Sequence, residues 1–241
     1  MRTLRLAPLA LFCVTACATT PAPAFELQHF GAMREVMMEG KTGPRAALSR
    51  YEQKGCYAVG ALAGLAGEVM IDDGVVFVSR DRAEKVADRA GNAQATLLTI
   101  AQVRNWRELP LGEGADLDAI EAAIRAALPD PKATEIAPLP FLVIAPATAI
   151  AMHVARGVCP HGASDPEHQP DVWRNDPAHG AVAARVVGFF APGQAGVMTH
   201  HGTAIHAHAM ATARSGTKAM GHVDSLVVGP GARLLLPALT Q

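Results

Sequence analysis

The chain has 241 residues, 50% of them apolar and 18% charged, with a formal net charge of −1 from 21 Lys and Arg against 22 Asp and Glu. That is a globular composition, long enough for one sizeable domain or two packed lobes. A near-neutral balance without a basic block argues against nucleic acid as a partner, and an aromatic content of 5% argues against a platform for stacking glycans or bases.

The first segment reads as an address rather than as fold. MRTLRLAPLALFCVTAC has Arg2 and Arg5, a short apolar run, and then Val14-Thr15-Ala16-Cys17. It is too short for a spanning helix with stop-transfer flanks. Its end resembles a bacterial lipoprotein signal, which predicts a signal peptide over 1–16, cleavage before Cys17 and lipid attachment to that cysteine. An ordinary export signal cut near Ala24 is the alternative. Either one places the mature domain outside the cytoplasm, on the periplasmic face of a bacterial membrane or secreted. Residues 17–25, which include ATTPAPA, read as a flexible tether. Cys56 and Cys159 then remain, and a disulfide between them suits that compartment, although the sequence leaves the bridge open.

Residues 25–38 (FELQHFGAMREVMM) predict a short strand followed by a helix. Thr42-Gly43-Pro44 predicts the start of a second helix, with Thr42 as cap, Ala47, Leu48 and Tyr51 on one face, and an end at Gly55. Val69-Met70-Ile71 and Val75-Val76-Phe77-Val78 flank Asp72-Asp73-Gly74, a hairpin signature. Glu68 opens the first of these strands, and on spacing alone it reads as an exposed strand-end charge rather than a buried functional acid. Residues 95–101 read as a strand. Residues 116–128 read as an amphipathic helix with Leu117, Ile120, Ile124 and Leu128 on one side, stopped by Pro129 and Pro131. Two candidate strands follow, 141–144 and 149–152, and Arg156 beyond them reads by itself as an ordinary surface arginine. Residues 160–180 read as a loop whose His161, His168 and His179 show no pairing geometry. A strand over 182–190, a turn over 193–196 and a last short strand over 232–237 complete the series.

The most informative stretch is 199–228, which holds five of the ten histidines. In an extended strand His206 and His208 project from one face about 7 Å apart, close enough for two imidazoles to converge on one metal ion. After the turn-like Arg214-Ser215-Gly216-Thr217, a second extended run carries Gly221-His222-Val223. If the two runs pair as a hairpin, His222 reaches the same face. Three neutral imidazoles with an open fourth position describe a catalytic rather than a structural zinc. His200 and His201 read as loop residues.

Together these stretches resemble the alpha-acetolactate decarboxylase family over roughly residues 27–237. GALAGLAGEVMIDDGVVF resembles the family's Gly-Thr…Leu-Asp-Gly-Glu hairpin and places Glu68 on its active-site glutamate. ARGVCP, following AIAMHV, resembles the strand-end Arg-Ser-Val-Pro and places Arg156 on the active-site arginine. VVGFFAP resembles the Val-Gly-Phe…Pro segment. IHAHAM and GHVDSL resemble the His-x-His and Gly-Gly-His runs, placing His206, His208 and His222 on the three zinc ligands. The chain departs from the family in having Ala61 where a threonine precedes the glutamate and Ala66 for the Asp of Leu-Asp-Gly-Glu. Its segment between His208 and His222 is a few residues longer, and no acid follows Asp224 where the family carries a second active-site glutamate.

The resemblance implies an α+β fold of two lobes, each a β-sheet with few helices, divided here as 26–137 and 138–241, with the metal between them. It implies zinc-dependent, non-oxidative decarboxylation of 2-acetolactate to acetoin. Glu68 would handle the proton, and Arg156 would orient the departing carboxylate. A small hydroxy-keto acid is then the partner, and the membrane enters only through a lipid on Cys17. Two other functions stay open: a catalytically impaired zinc-binding lipoprotein that takes up such an acid or a partner protein, and a zinc hydrolase on the same scaffold with Glu68 activating water.

Overall fold

The computed structural model describes residues 23–88, 91–157, 169–213 and 215–238. The signal peptide, most of the tether, Cys159, His161 and His168 fall outside these residues. Two sheets, all of whose pairings are antiparallel, carry the described chain. The first contains Phe25–Phe30 (β1), Ala46–Ala47 (β2), Cys56–Leu62 (β3), Glu68–Asp72 (β4), Val75–Ser79 (β5), Val86–Ala87 (β6) and Gln94–Val103 (β7), in the order β1-β7-β3-β4-β5-β6 with β2 also on β7. The second contains Trp106–Pro110 (β8), Leu139–Val154 (β9), Asp171–Asn175 (β10), Val182–Phe190 (β11), Ile205–Thr212 (β12), Lys218–Val228 (β13) and Arg233–Pro237 (β14). Its order is β11-β12-β13-β9-β14-β8, with β10 on β9. Because β11 also pairs with β9, the strands β9, β13, β12 and β11 close into a ring. Closure removes the free edges at which strands aggregate. The helices are Met33–Glu39 (α1) and Leu117–Ala126 (α2). This is the α+β, two-lobed arrangement that the sequence implies.

Alternation along the strands sorts side chains into three layers. Val69 and Ile71 of β4 join Leu48, Val76 and Leu98 in the core of the first sheet. Ala207 and Ala209 of β12 point into the closed ring with Phe141, Val143 and Val186. Between the sheets lie Val59, Met70, Leu142, Val187, Met210 and Met220. Residues two or four apart from these interface methionines share their face: Glu68 with Met70, His206 and His208 with Met210, His222 with Met220. A single period-two rule thus aims four candidate site residues at the gap between the lobes. Arg185 of β11 also crosses it, paired through two donors with the carboxylate of Asp72, one of them at 2.7 Å.

The Asp72-Asp73-Gly74 hairpin forms as expected, with Asp73 (φ 49°) and Gly74 (φ 82°) both left-handed, as a tight two-residue turn requires. Asp116 caps α2 by accepting the amide of Ala119 at 2.9 Å. Other expectations need correction. The helix predicted to start at Thr42 is a short strand, β2, followed by a 3₁₀ turn over Leu48–Tyr51. Ala46 pairs with Ala95, and backbone bonding to β7 outweighs a weak helical pattern. The strands predicted over 141–144 and 149–152 are one continuous strand, β9. Within the predicted loop, β10 pairs with β9. The chain passes from the first sheet to the second between Val103 and Trp106: β8 pairs with β14, and Ile120 and Ile124 of α2 pack into the ring's core. Cys56 is buried with a free thiol that donates to Gln102 Oε1, and burial pushes its pKa up. Among the described residues no helix is long and apolar enough to cross a membrane.

Candidate metal centre

His206, His208 and His222 converge. One ring nitrogen of each lies within 4.8 Å of the others, and ring centroids are 5.1–5.4 Å apart. The hairpin supplies the geometry, since β12 and β13 pair with His208 directly opposite His222. Cross-strand neighbours on one face are close enough for their side chains to meet. His208 is fully buried, and His206 nearly so. Burial, followed by repulsion from neighbouring histidines, holds all three well below the usual imidazole pKa. They are therefore neutral at pH 7, which is the ligand form.

His206 Nδ1 and both ring nitrogens of His208 are buried and make no hydrogen bond of standard geometry among the described residues. Unpaired buried polar atoms are costly, and where they meet they mark a missing partner. Three neutral nitrogen donors suit a divalent transition metal such as zinc, copper or nickel.

Glu68 faces this cluster from the other sheet. It is 5% exposed, its Oε1 accepts the amide of Ala155 at 2.9 Å, and its Oε2 lies 3.6 Å from His208 Nε2. Burial pushes its pKa up to about 7, against the opposing pull of His153 and the Ala155 amide. The reading of Glu68 as an exposed charge is overturned, because β4 carries it on the same face as the interface residue Met70. Gly67 before it has φ 132°, and a Cβ there would stand 2.1 Å from the carbonyl oxygen of Ser79. Only glycine lets the chain enter β4 so close to β5.

A cavity of about 480 Å³ opens beside the cluster, and His206, His222 and Glu68 line it. Arg156 is half-buried and one residue beyond Ala155, which lines the cavity, while Arg156 is not itself among the described lining residues. His179 is exposed and bonded to Asp176, and is not one of the clustered histidines.

Sequence reasoning missed three lining residues, His153, Asp224 and His200. His153 lies opposite His222 in the β9–β13 register, with ring centroids 4.8 Å apart, and its Nδ1 is 2.7 Å from Asp224 Oδ1. Burial alone would lower its pKa; the Asp224 bond and the charges of Glu68 and Asp224 leave it raised. His200 stands edge-on to His222 at 5.2 Å. A strand-borne His153 beside the arginine segment was a signal, but its face was not readable. Along β9 the core positions are 141, 143 and 145, then 150, 152 and 154, so the alternation changes phase near Thr148. The register with β13 shifts at the same place, and again around Asp224. Such irregularities re-aim side chains.

No family model matches the chain, and no curated protein matches it. Solved structures do. A Staphylococcus aureus protein of unknown function, described as similar to alpha-acetolactate decarboxylase, aligns with TM-score 0.61 and 15% identity over 87% of this chain and 84% of that one. Acetolactate decarboxylase from Bacillus subtilis subspecies spizizenii aligns with TM-score 0.64 and 14% identity over 88% and 86%. Alpha-acetolactate decarboxylase from Bacillus subtilis strain 168 aligns with TM-score 0.64 and 13% identity over 89% and 86%. At such identities the likeness is one of fold, and the chain has the two-lobed α+β fold of the acetolactate decarboxylases.

Proposed function

We propose that this protein is a zinc-dependent carboxy-lyase that converts 2-acetolactate, or a closely related 2-hydroxy-3-keto acid, into carbon dioxide and an acyloin. The observation that carries the reading is the meeting of three buried, neutral imidazoles from one sheet with a buried carboxyl from the other, beside a cavity. The fold shared with acetolactate decarboxylases supports it. His206, His208 and His222 would hold the metal, and zinc is the ion proposed. A zinc ion there would supply Lewis acidity and a sink for the electron pair released as carbon dioxide leaves.

The chain's own residues supply the rest. When the bond to the carboxylate breaks, its electron pair stays on the substrate carbon, which must then gain a proton. Glu68 is placed to hold that proton, fixed through Oε1 by the Ala155 amide and free at Oε2 to face the cluster. Ala61 lies directly opposite Glu68 in the β3–β4 register and offers it no hydrogen bond. One absent partner costs about 1–3 kcal/mol, which slows turnover without abolishing it. Arg156 is proposed to orient the departing carboxylate through paired donors, a role that needs its side chain turned toward the cavity lined by its neighbour Ala155.

The test is direct. Zinc-loaded protein given racemic acetolactate is expected to form acetoin, and Glu68→Gln is expected to remove that activity while metal content stays the same. Absence of acetoin, or full activity in the variant, sinks the proposal. We also propose that the protein is exported and lipid-anchored at Cys17, on the strength of Val14-Thr15-Ala16-Cys17. Cells fed an alkynyl fatty acid should label the parent protein and not Cys17→Ser. Equal labelling of the two rejects the anchor.

A further inference from the structure

The cavity beside the histidine cluster has two unlike walls. One carries His153, His206, His222, Asp224 and Glu68. The other is apolar: Met33, Val36 and Met37 of α1 with Leu65 and Leu97 of the first lobe. The apolar wall is fixed in place, since the amides of Met33 and Arg34 donate to the carbonyls of Val197 and Gly196 at 3.1 and 2.8 Å. Helix α1 thus belongs to the first lobe in sequence and is tied to the second by its first turn. Val172, 40% exposed and one of three exposed large hydrophobic residues among those described, extends the apolar lining to the surface.

A small hydroxy-keto acid leaves much of this space unused. Its carboxylate, hydroxyl and ketone oxygens all belong at the polar wall, and beyond them it has only methyl groups. About 480 Å³ lies within the range of cavities that enclose drug-sized ligands, roughly 300–1,000 Å³. Methionines are suited to such a wall because an unbranched thioether adapts to chains of different shape.

We propose that the natural ligand is amphiphilic: a 2-hydroxy acid or 2-hydroxy-3-keto acid whose chelating head meets the histidine wall and whose alkyl chain, several carbons longer than a methyl group, lies along α1, Leu65 and Leu97. This rests on the metal-site part of the reading above and not on decarboxylation. The probe is a series of unbranched 2-hydroxy acids from lactate to 2-hydroxyoctanoate, titrated by calorimetry into the zinc-loaded full-length protein. Affinity should rise about fourfold per added methylene, the ordinary gain for burying that group, until the chain fills the wall. In Met37→Asp the slope should collapse, with zinc stoichiometry reporting that the fold is intact.

Affinities that stay level or fall with chain length overturn the inference, as does a slope unchanged in Met37→Asp. Absence of binding by every acid to protein carrying its zinc overturns it too. Loss of the decarboxylase reading looks different: no acetoin forms from acetolactate, while the rising series persists.

Discussion

At the scale of single residues, burial sets the charge of this site except where a close partner opposes it, as Asp224 does for His153. Glu68 and the three clustered histidines are all driven toward their neutral forms by loss of water. His29, on β1, lies outside the proposed ligand set, close enough to His206 for their charges to interact, and shows the same effect. Its Nδ1 bonds Thr99 Oγ1 at 2.9 Å, and burial lowers its pKa below 6.5 despite opposing contributions from the backbone at Gly31 and Val197. Protonation therefore favours the unfolded chain. The contribution of His29 to stability is complete above pH 6.5 and declines as the pH falls below that value toward the depressed folded-state pKa. Melting temperatures of the parent and His29→Gln, followed from pH 7.5 to 5, should diverge in slope, with the parent losing stability faster by up to roughly one proton per chain. Parallel curves reject this account.

At the scale of elements, two glycine-like problems are solved by backbone and not by chemistry. Gly67 permits β4 to start against β5 and so sets where Glu68 points. Gly67→Ala meets both a left-handed φ and the Ser79 carbonyl, and should destabilise the protein by about 1–3 kcal/mol and lower activity with it. Gly114 is also left-handed (φ 81°), but a Cβ there meets nothing within 4 Å, so Gly114→Ala should cost less by urea denaturation. Equal losses would falsify the role given to the Ser79 contact. The second problem is β9, whose change of phase near Thr148 lets one strand fill the ring's core with Phe141 and Val143 and yet turn His153 toward His222.

At the scale of the whole molecule, the site exists because two lobes face one another. The three histidines come from β12 and β13, and Glu68 from the opposing lobe, so the proposed metal site and the lobe packing share one surface. A ligand that binds only the folded chain stabilises it by mass action, about 2.7 kcal/mol at a hundredfold excess over Kd. Zinc added to chelator-treated protein should therefore raise the melting temperature in a concentration-dependent manner, and His208→Ala should remove most of that rise. A melting temperature indifferent to zinc in the parent leaves the metal centre without support.

Local pattern determined much of this. The Asp72-Asp73-Gly74 turn, the amphipathic helix after Asp116 and the His206–His208–His222 hairpin were all legible, because turn chemistry, helical periodicity and period-two alternation act within a few residues. What tertiary structure alone decided was burial and the choice of face. Glu68 lies among residues that could as easily edge a solvated strand, and only the opposing sheet takes it out of water. His153 and Asp224 meet through bulges that no periodicity announces. The helix expected after Thr42 gave way to a strand because β7 offered its backbone a partner. Each of these outcomes depends on groups far apart in sequence, and propensity, which reads only neighbours along the chain, carries no information about them.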